Sequence, residues 1–262
     1  MTTVADILDF LNTIAPPEIR EDWDNVGLNC GRMNRPVDKI LIALDPFREV
    51  CQEAANWGAQ LLITHHILIW QPGFLTDNDE QGRNVLFLAE HGIAHINAHT
   101  NLDLAPGGVN DVLAARLGLQ NVEILNPKGI TRDGKPYGLL RAGTVPPQPL
   151  EVFLSGVKEK LGCPGLRYAD GGKLVTKVAV GGGSCGDELY EAAEAGCDTF
   201  VTADVKYSQF WDARNLGLSI IDAGHFYTEN PVCGYLAEKI AAAFPEVSVK
   251  ISQKHVDCMK FC

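Results

Sequence analysis

Basic residues are scarce in this chain. Lysine and arginine total 22 against 33 aspartates and glutamates, a formal net charge of -11. Such a surface repels phosphate backbones, so nucleic acid is not an expected partner. An anionic small substrate would need local help from a metal ion or from backbone N–H groups. No apolar stretch approaches the ~20 residues that cross a bilayer, and no membrane association is expected. The opening segment Met1–Phe10 carries Asp6 and Asp9 and no basic run, so it does not read as a secretory signal. The eight cysteines include no C-x-x-C pair and read as reduced thiols of a cytoplasmic protein. His255-x-x-Cys258-x-x-x-Cys262 has metal-ligating residue types, but its place at the C-terminus favours a chance cluster.

What is present is a large apolar fraction, 46% of 262 residues, ample for one large or two medium cores. Thr2 or Thr3 can cap a helix to about Ala15, and Pro16-Pro17 ends it. Strands at Lys39–Leu44, Leu61–Thr64 and Ile93–Asn97 alternate with helices at Phe47–Trp57, Asn84–His91 and Val109–Leu117. A polar loop is expected after Trp70, and an edge strand at Val122–Leu125. This alternation argues for an α/β fold with largely parallel sheets.

The chain then repeats itself. Lys39-to-His66 aligns without a gap on Lys177-to-Asp204. Lys39, Glu53, Ala54, Ala55, Gly58 and Thr64 meet identical residues, and apolar strand positions meet apolar ones. Gly92–Ala98 matches Gly217–Ala223 in the same way. The fold class read from this is α/β with two related halves, an internal duplication. The halves are 1–125 and 126–262, with a C-terminal helix free to return to the first. Pro127, Gly129 and Gly134 mark the linker.

Chemistry gathers around Thr64-His65-His66, the end of the apolar run Leu61–Thr64. Neighbouring strand residues point to opposite faces, so both rings serve one site only if the chain turns there. In open α/β sheets, sites form beyond the carboxyl ends of strands. Asp103 follows the strand ending at Asn97, and His225 follows the equivalent strand of the second half. Glu229 lies one helical turn after His225. His65, His66, Asp103, His225 and Glu229 offer three imidazoles and two carboxylates, a donor set suited to Zn, Mn, Fe or Co. Five ligands exceed what one catalytic ion takes and suit two ions bridged by a carboxylate. His99 reads either as a general acid–base or as a partner of Asp103. Asp24 and Asn25 could reach the site, or could only cap a turn.

Gly181–Gly186 matches G-x-G-x-x-G between a strand and a helix, with Asp204 beyond it. Gly182, Gly183 and Ser184 are the phosphate-binding candidates. A dinucleotide site and a tight packing turn are the alternatives. The loop Asp45–Arg48 of the first half has no glycine, and Asp204 occupies the repeat position of His66. Both speak against a dinucleotide.

Taken together, Trp23–Leu28, Ile63–His66, Ala98–Asp103, Pro106–Asp111, Gly181–Ser184 and Asp222–Glu229 resemble the type 2 homologues of GTP cyclohydrolase I, also called Ngg-one-interacting-factor-three-like proteins. One departure is Ile67-Leu68-Ile69-Trp70, where that family usually has Pro-Leu-Ile-Phe. The resemblance implies a two-domain α/β subunit, homohexamers, and a dinuclear metal site at the junction of the halves, ligated by the same five residues with Glu229 bridging. It implies hydrolytic opening of the GTP imidazole ring with release of formate, on GTP or another phosphorylated small molecule. A dinuclear phosphoesterase and a non-catalytic metal-handling or adaptor ring are the alternatives.

Overall fold

The computed structural model describes residues 1–70 and 73–262. Positions 71 and 72, in the polar loop expected after Trp70, lie outside the described residues. The chain divides into two compact units: Met1–Leu102 with Cys233–Asp257, and Asp103–Val232 with Cys258–Cys262.

The first unit opens with α1 (Val4–Ile14). The Thr3 hydroxyl accepts from the Asp6 N–H, and the Asp6 carboxylate accepts from the Thr3 N–H, which closes a capping box. Its sheet contains β1 (Gly27–Cys30), β2 (Lys39–Ala43), β3 (Leu61–Thr64), β4 (Ala94–Asn97) and β13 (Ser248–Ile251), in the order β1-β4-β3-β2-β13. All pairings are parallel except β1 with β4. The strands β2, β3 and β4 are almost wholly buried, as continuous apolar runs in a covered parallel sheet should be. Leu41, Leu62, Val50, Ala54 and Leu88 belong to the core, which joins the sheet to α2 (Arg48–Trp57) and α3 (Glu80–Glu90). Gly58 ends α2 in the left-handed region, φ 73°. Helix α3 starts earlier than its apolar spacing indicated, because Asp79 caps it by accepting from the Gly82 N–H at 2.7 Å.

The second unit holds α5 (Val109–Leu117), β5 (Gln120–Ile124), the hairpin β6 (Gly129–Ile130) and β7 (Pro136–Tyr137), β8 (Arg141–Gln148), α6 (Leu150–Leu161), β9 (Arg167–Ala169), β10 (Val175–Val180), α7 (Leu189–Glu194), β11 (Thr199–Thr202), α8 (Tyr207–Leu216), β12 (Ser219–Asp222) and α9 (His225–Glu229). Helices α4 (Thr100–Leu104) and α10 (Pro231–Ala243) carry the chain across the unit boundaries. The sheet order is β5-β8-β10-β11-β12-β9. Only its centre, β10-β11-β12, is parallel; β8 with β10, β5 with β8 and β12 with β9 are antiparallel. The edge strand expected to close the first half instead borders this sheet, so the division falls at Leu102–Asp103 rather than after residue 125. The expected linker is the β6–β7 hairpin.

The repeated segments take the same form in each unit. Ile40 faces Leu61 and Val178 faces Thr199; Leu61 faces Ala94 and Thr199 faces Ser219. Each unit thus carries three adjacent parallel strands in matching register. Among the described residues, no helix is long and apolar enough to cross a membrane.

One core polar group has a consequence for stability. His95, on β4, is fully buried, and its Nε2 lies 2.8 Å from Thr64 Oγ1. The Thr64 hydroxyl donates its only hydrogen to the His66 carbonyl, so His95 Nε2 donates to Thr64 and Nδ1 carries the lone pair. A second proton would enter an apolar core, and burial lowers the pKa of the ring to about 3. The unfolded chain, with His95 near 6.5, therefore binds the extra proton first. Stability from this group is complete above pH ~6.5 and falls by about 1.4 kcal/mol per pH unit below it. Urea unfolding of the wild type and of His95→Gln between pH 4 and 7 should show a slope flatter by that amount in the variant. Equal slopes would contradict this assignment.

Candidate metal centre

In the first unit, three parallel strands end side by side, and each delivers a titratable residue just beyond its carboxyl end. Strand β2 leads to Asp45, β3 to His65 and His66, and β4 to His99. The ladder continues one step past the strands, with His66 N–H donating to Leu44 O at 2.9 Å and Ala98 N–H to Thr64 O at 3.1 Å. The Thr64–His66 bond then turns the chain. The turn brings the two rings to one place despite their alternate strand positions; their centroids are 5.1 Å apart. A nitrogen from each of His65, His66 and His99 lies within 4.8 Å of the other two.

Each of these rings is held at Nδ1. His65 meets the Ala98 carbonyl at 2.8 Å, His66 meets Asp45 Oδ1 at 2.6 Å, and His99 meets Asp24 Oδ1 at 3.0 Å. Carbonyl and carboxylate oxygens only accept, so every Nδ1 carries a proton and every Nε2 can offer a lone pair. Burial opposes the Asp24 charge, but hydrogen bonds from His99 and Thr100 outweigh it and hold the carboxyl below its usual range. Burial opposes the Asp45 charge as well. There the hydrogen bonds from His255, at 2.9 Å, and from His66 prevail, and the carboxyl stays well below the ordinary value. His255 is thus a buried partner of Asp45 rather than part of a loose terminal cluster. Cys258 and Cys262 are exposed.

The second unit repeats the device with different residues. Strand β10 leads to Gly181–Gly183, β11 to Asp204 and β12 to His225. Asp204 stands in the left-handed region at φ 52°, and its Oδ2 accepts from His225 Nδ1 at 2.7 Å. One turn of α9 places Glu229 Oε2 2.9 Å from His225 Nε2. An oxygen of Asp103 and one of Glu229 lie within 4.8 Å. Two carboxylates this close, with Glu229 buried, could hold a cation between them. Burial alone would lower the His225 pKa; the bonds to Asp204 and Glu229 outweigh it and raise the ring to about 10, so the imidazolium supplies positive charge. A divalent ion taking Nε2 and Glu229 would replace that proton and leave the Asp204–Nδ1 bond intact.

The glycine loop packs against His225 and Glu229. Gly183 has φ 65°, and a Cβ there would collide with Glu229 Oε1 and lie 3.1 Å from His225 Nε2. The Gly182 N–H donates to Asn110 Oδ1 at 2.7 Å and the Gly183 N–H to Thr228 Oγ1 at 3.0 Å. Two of the amides a phosphate cradle would use are therefore engaged, and the loop acts as a close-packing turn beside α9. Asp204, which also fitted a ribose-binding acid, serves His225. Sequence reasoning missed the place of Asp45 and His255 beside His66. The position of Asp45 just beyond β2 was a usable signal; His255 read only as part of a chance cluster with Cys258 and Cys262.

The Duf34/NIF3 (NGG1p interacting factor 3) family profile matches residues 2–257. A Clostridium perfringens protein named GTP cyclohydrolase 1 type 2 homolog is 34% identical, over 98% of each chain. A Streptomyces coelicolor protein of the same name is 36% identical, over 95% of this chain and 87% of its own. Among solved structures, the Bacillus cereus protein related to NIF3 superposes with TM-score 0.90 at 27% identity, covering 100% of this chain and 99% of that one. Reduced HcgD from Methanocaldococcus jannaschii gives TM-score 0.81 at 27% identity, covering 97% and 98%.

Two outcomes follow from this geometry. Removing the carboxylate behind His66, in Asp45→Ala, should weaken metal binding by about tenfold to a hundredfold in chelator-competition titrations, since the ring loses its orientation. Unchanged affinity would show that Asp45 only neutralises charge. Gly183→Ala should cost roughly 1–3 kcal/mol of stability from backbone strain, read from denaturant midpoints, and should displace Glu229. Wild-type stability would exclude that packing role.

Proposed function

This chain belongs to the Duf34/NIF3 family, and we propose that it is a hydrolase using two divalent ions held by His65, His66, Asp103, His225 and Glu229, with Glu229 shared between them. The observation that carries the reading is the common anchoring of four imidazoles at Nδ1. His65, His66, His99 and His225 are all anchored at Nδ1 by a protein oxygen, the arrangement that fixes a ligating tautomer. Imidazole and carboxylate donors fit Zn, Mn, Fe or Co.

A bound pair of such ions supplies Lewis acidity and water acidified towards neutral pH. The chain supplies the rest. Asp45 and Asp204 keep the rings of His66 and His225 aimed. Asp24 holds the proton of His99 on Nδ1, so the opposite nitrogen can take a proton from water and return it to a leaving nitrogen. The substrate reading comes from relatives named GTP cyclohydrolase 1 type 2 homolog. It is addition of water to the imidazole carbon of the guanine ring, opening of that ring to a formamide, and hydrolysis of the formamide by a second water to release formate and leave a free amine. The family resemblance alone supports the further reading of a cytoplasmic homohexamer.

The test is formate release from GTP by protein loaded with each candidate metal. The wild type should turn over. His99→Gln should keep its metal and lose about a hundredfold or more in rate. Glu229→Ala should lose both metal and rate. No formate from fully loaded wild type would reject the cyclohydrolase reading. Phosphate release from phosphoesters by the same sample would favour the phosphoesterase in its place.

A further inference from the structure

Trp23 and Trp70 stand beside the three imidazoles of the first unit with most of their surface in solvent, 58% and 60% exposed. Tryptophans on a folded surface are more often largely covered, and a paired exposure marks a surface kept for binding. The two indoles are stacked, with centroids 5.7 Å apart and planes within 12°. Both meet His99 edge-on, at 5.8 Å for Trp23 and 6.3 Å for Trp70. His99 in turn lies 5.3 Å from His65 and 5.7 Å from His66. An aromatic wall therefore runs directly into the candidate metal ligands.

The wall is pinned from behind. Asp24, next to Trp23, is buried and accepts from the Thr100 N–H at 2.9 Å, from the Thr100 hydroxyl and from His99. Asn25 Nδ2 donates to the Ile69 carbonyl at 2.9 Å, which clips the Trp23 loop to the residue before Trp70. The Trp70 N–H donates to Gln81 Oε1 at 2.8 Å. Much of the ordering that a ligand would otherwise have to impose is already in place.

We propose that Trp23 and Trp70 form a stacking platform for the planar heteroaromatic ring, of purine or pterin type, of the molecule that His65, His66 and His99 act on. A flat π-face recognises a flat ring by stacking, whatever its edge substituents. The engaged amides of Gly182 and Gly183 leave that loop fewer donors for a phosphate, which puts more weight on recognition through the ring. The proposal deepens the hydrolase reading and rests on it for the chemistry, but ring binding is measurable without turnover.

The test is calorimetric titration of the full chain, metal-loaded and chelator-stripped, with guanosine, neopterin, ribose 5-phosphate and tripolyphosphate, alongside metal content and solution mass. Guanosine or neopterin should bind, and ribose 5-phosphate and tripolyphosphate should bind much more weakly. Trp23→Ala and Trp70→Ala should each weaken the ring ligand about tenfold to a hundredfold with metal content unchanged, and Trp23→Phe and Trp70→Phe should restore most of it. Ring affinity unaffected in the double alanine variant, or no ring binding by loaded wild type, overturns the platform. So does a fall in solution mass without loss of ring affinity, which would assign the indoles to a contact between copies of this chain. Ring binding that follows the tryptophans in a protein that turns over nothing would sink the hydrolase reading and leave the platform standing.

Discussion

A histidine is a dependable ligand only when one ring nitrogen is held and the other is free to offer its lone pair. In this chain the holding partners are the Ala98 carbonyl and the carboxylates of Asp45, Asp24 and Asp204, each against an Nδ1. The sheets make this possible. Adjacent parallel strands end together, so β2, β3 and β4 deliver an acid and three imidazoles to one edge, and β11 and β12 deliver an acid and an imidazole to another. The almost fully buried strands behind those edges fix their spacing, which is why the apolar core matters to the chemistry.

The arrangement carries an electrostatic cost. Asp24 is charged despite burial and Asp45 despite partial burial, and Glu229 is buried near Asp103. Without metal, the His225 imidazolium offsets part of that charge in the second unit. The close approach of Gly183 to Glu229 adds a steric constraint at a position only glycine fills comfortably. Such local expense beside a well-packed core is expected where a fold supports a site rather than its own stability.

Much of this was legible in the sequence, for identifiable reasons. The run Leu61–Thr64 read as a buried strand because it is short and apolar, and the histidines after it fell at a strand end. His225 and Glu229 read as one helical face because their spacing is one turn, and they are one turn of α9. Tertiary choices were not legible. The pairing of β5 with β8 moved the unit boundary. Asp45 sits before Pro46 and reads as a loop residue until β2 and β3 are seen in register. His255 reaches Asp45 only because the chain returns as β13 along β2. The glycine motif showed where backbone amides cluster, but not that Asn110 and Thr228 had already taken two of them.

The most direct measurement is anomalous X-ray scattering from crystals of the metal-loaded protein, collected at the absorption edge of the metal. If the proposed dinuclear centre is right, two peaks about 3.5–4 Å apart per subunit should appear, with His65, His66, Asp103, His225 and Glu229 as ligands and Glu229 touching both. Asp45 and Asp204 should remain bonded to His66 and His225. A single peak, or peaks that leave His66 or His225 unligated, would contradict the dinuclear centre.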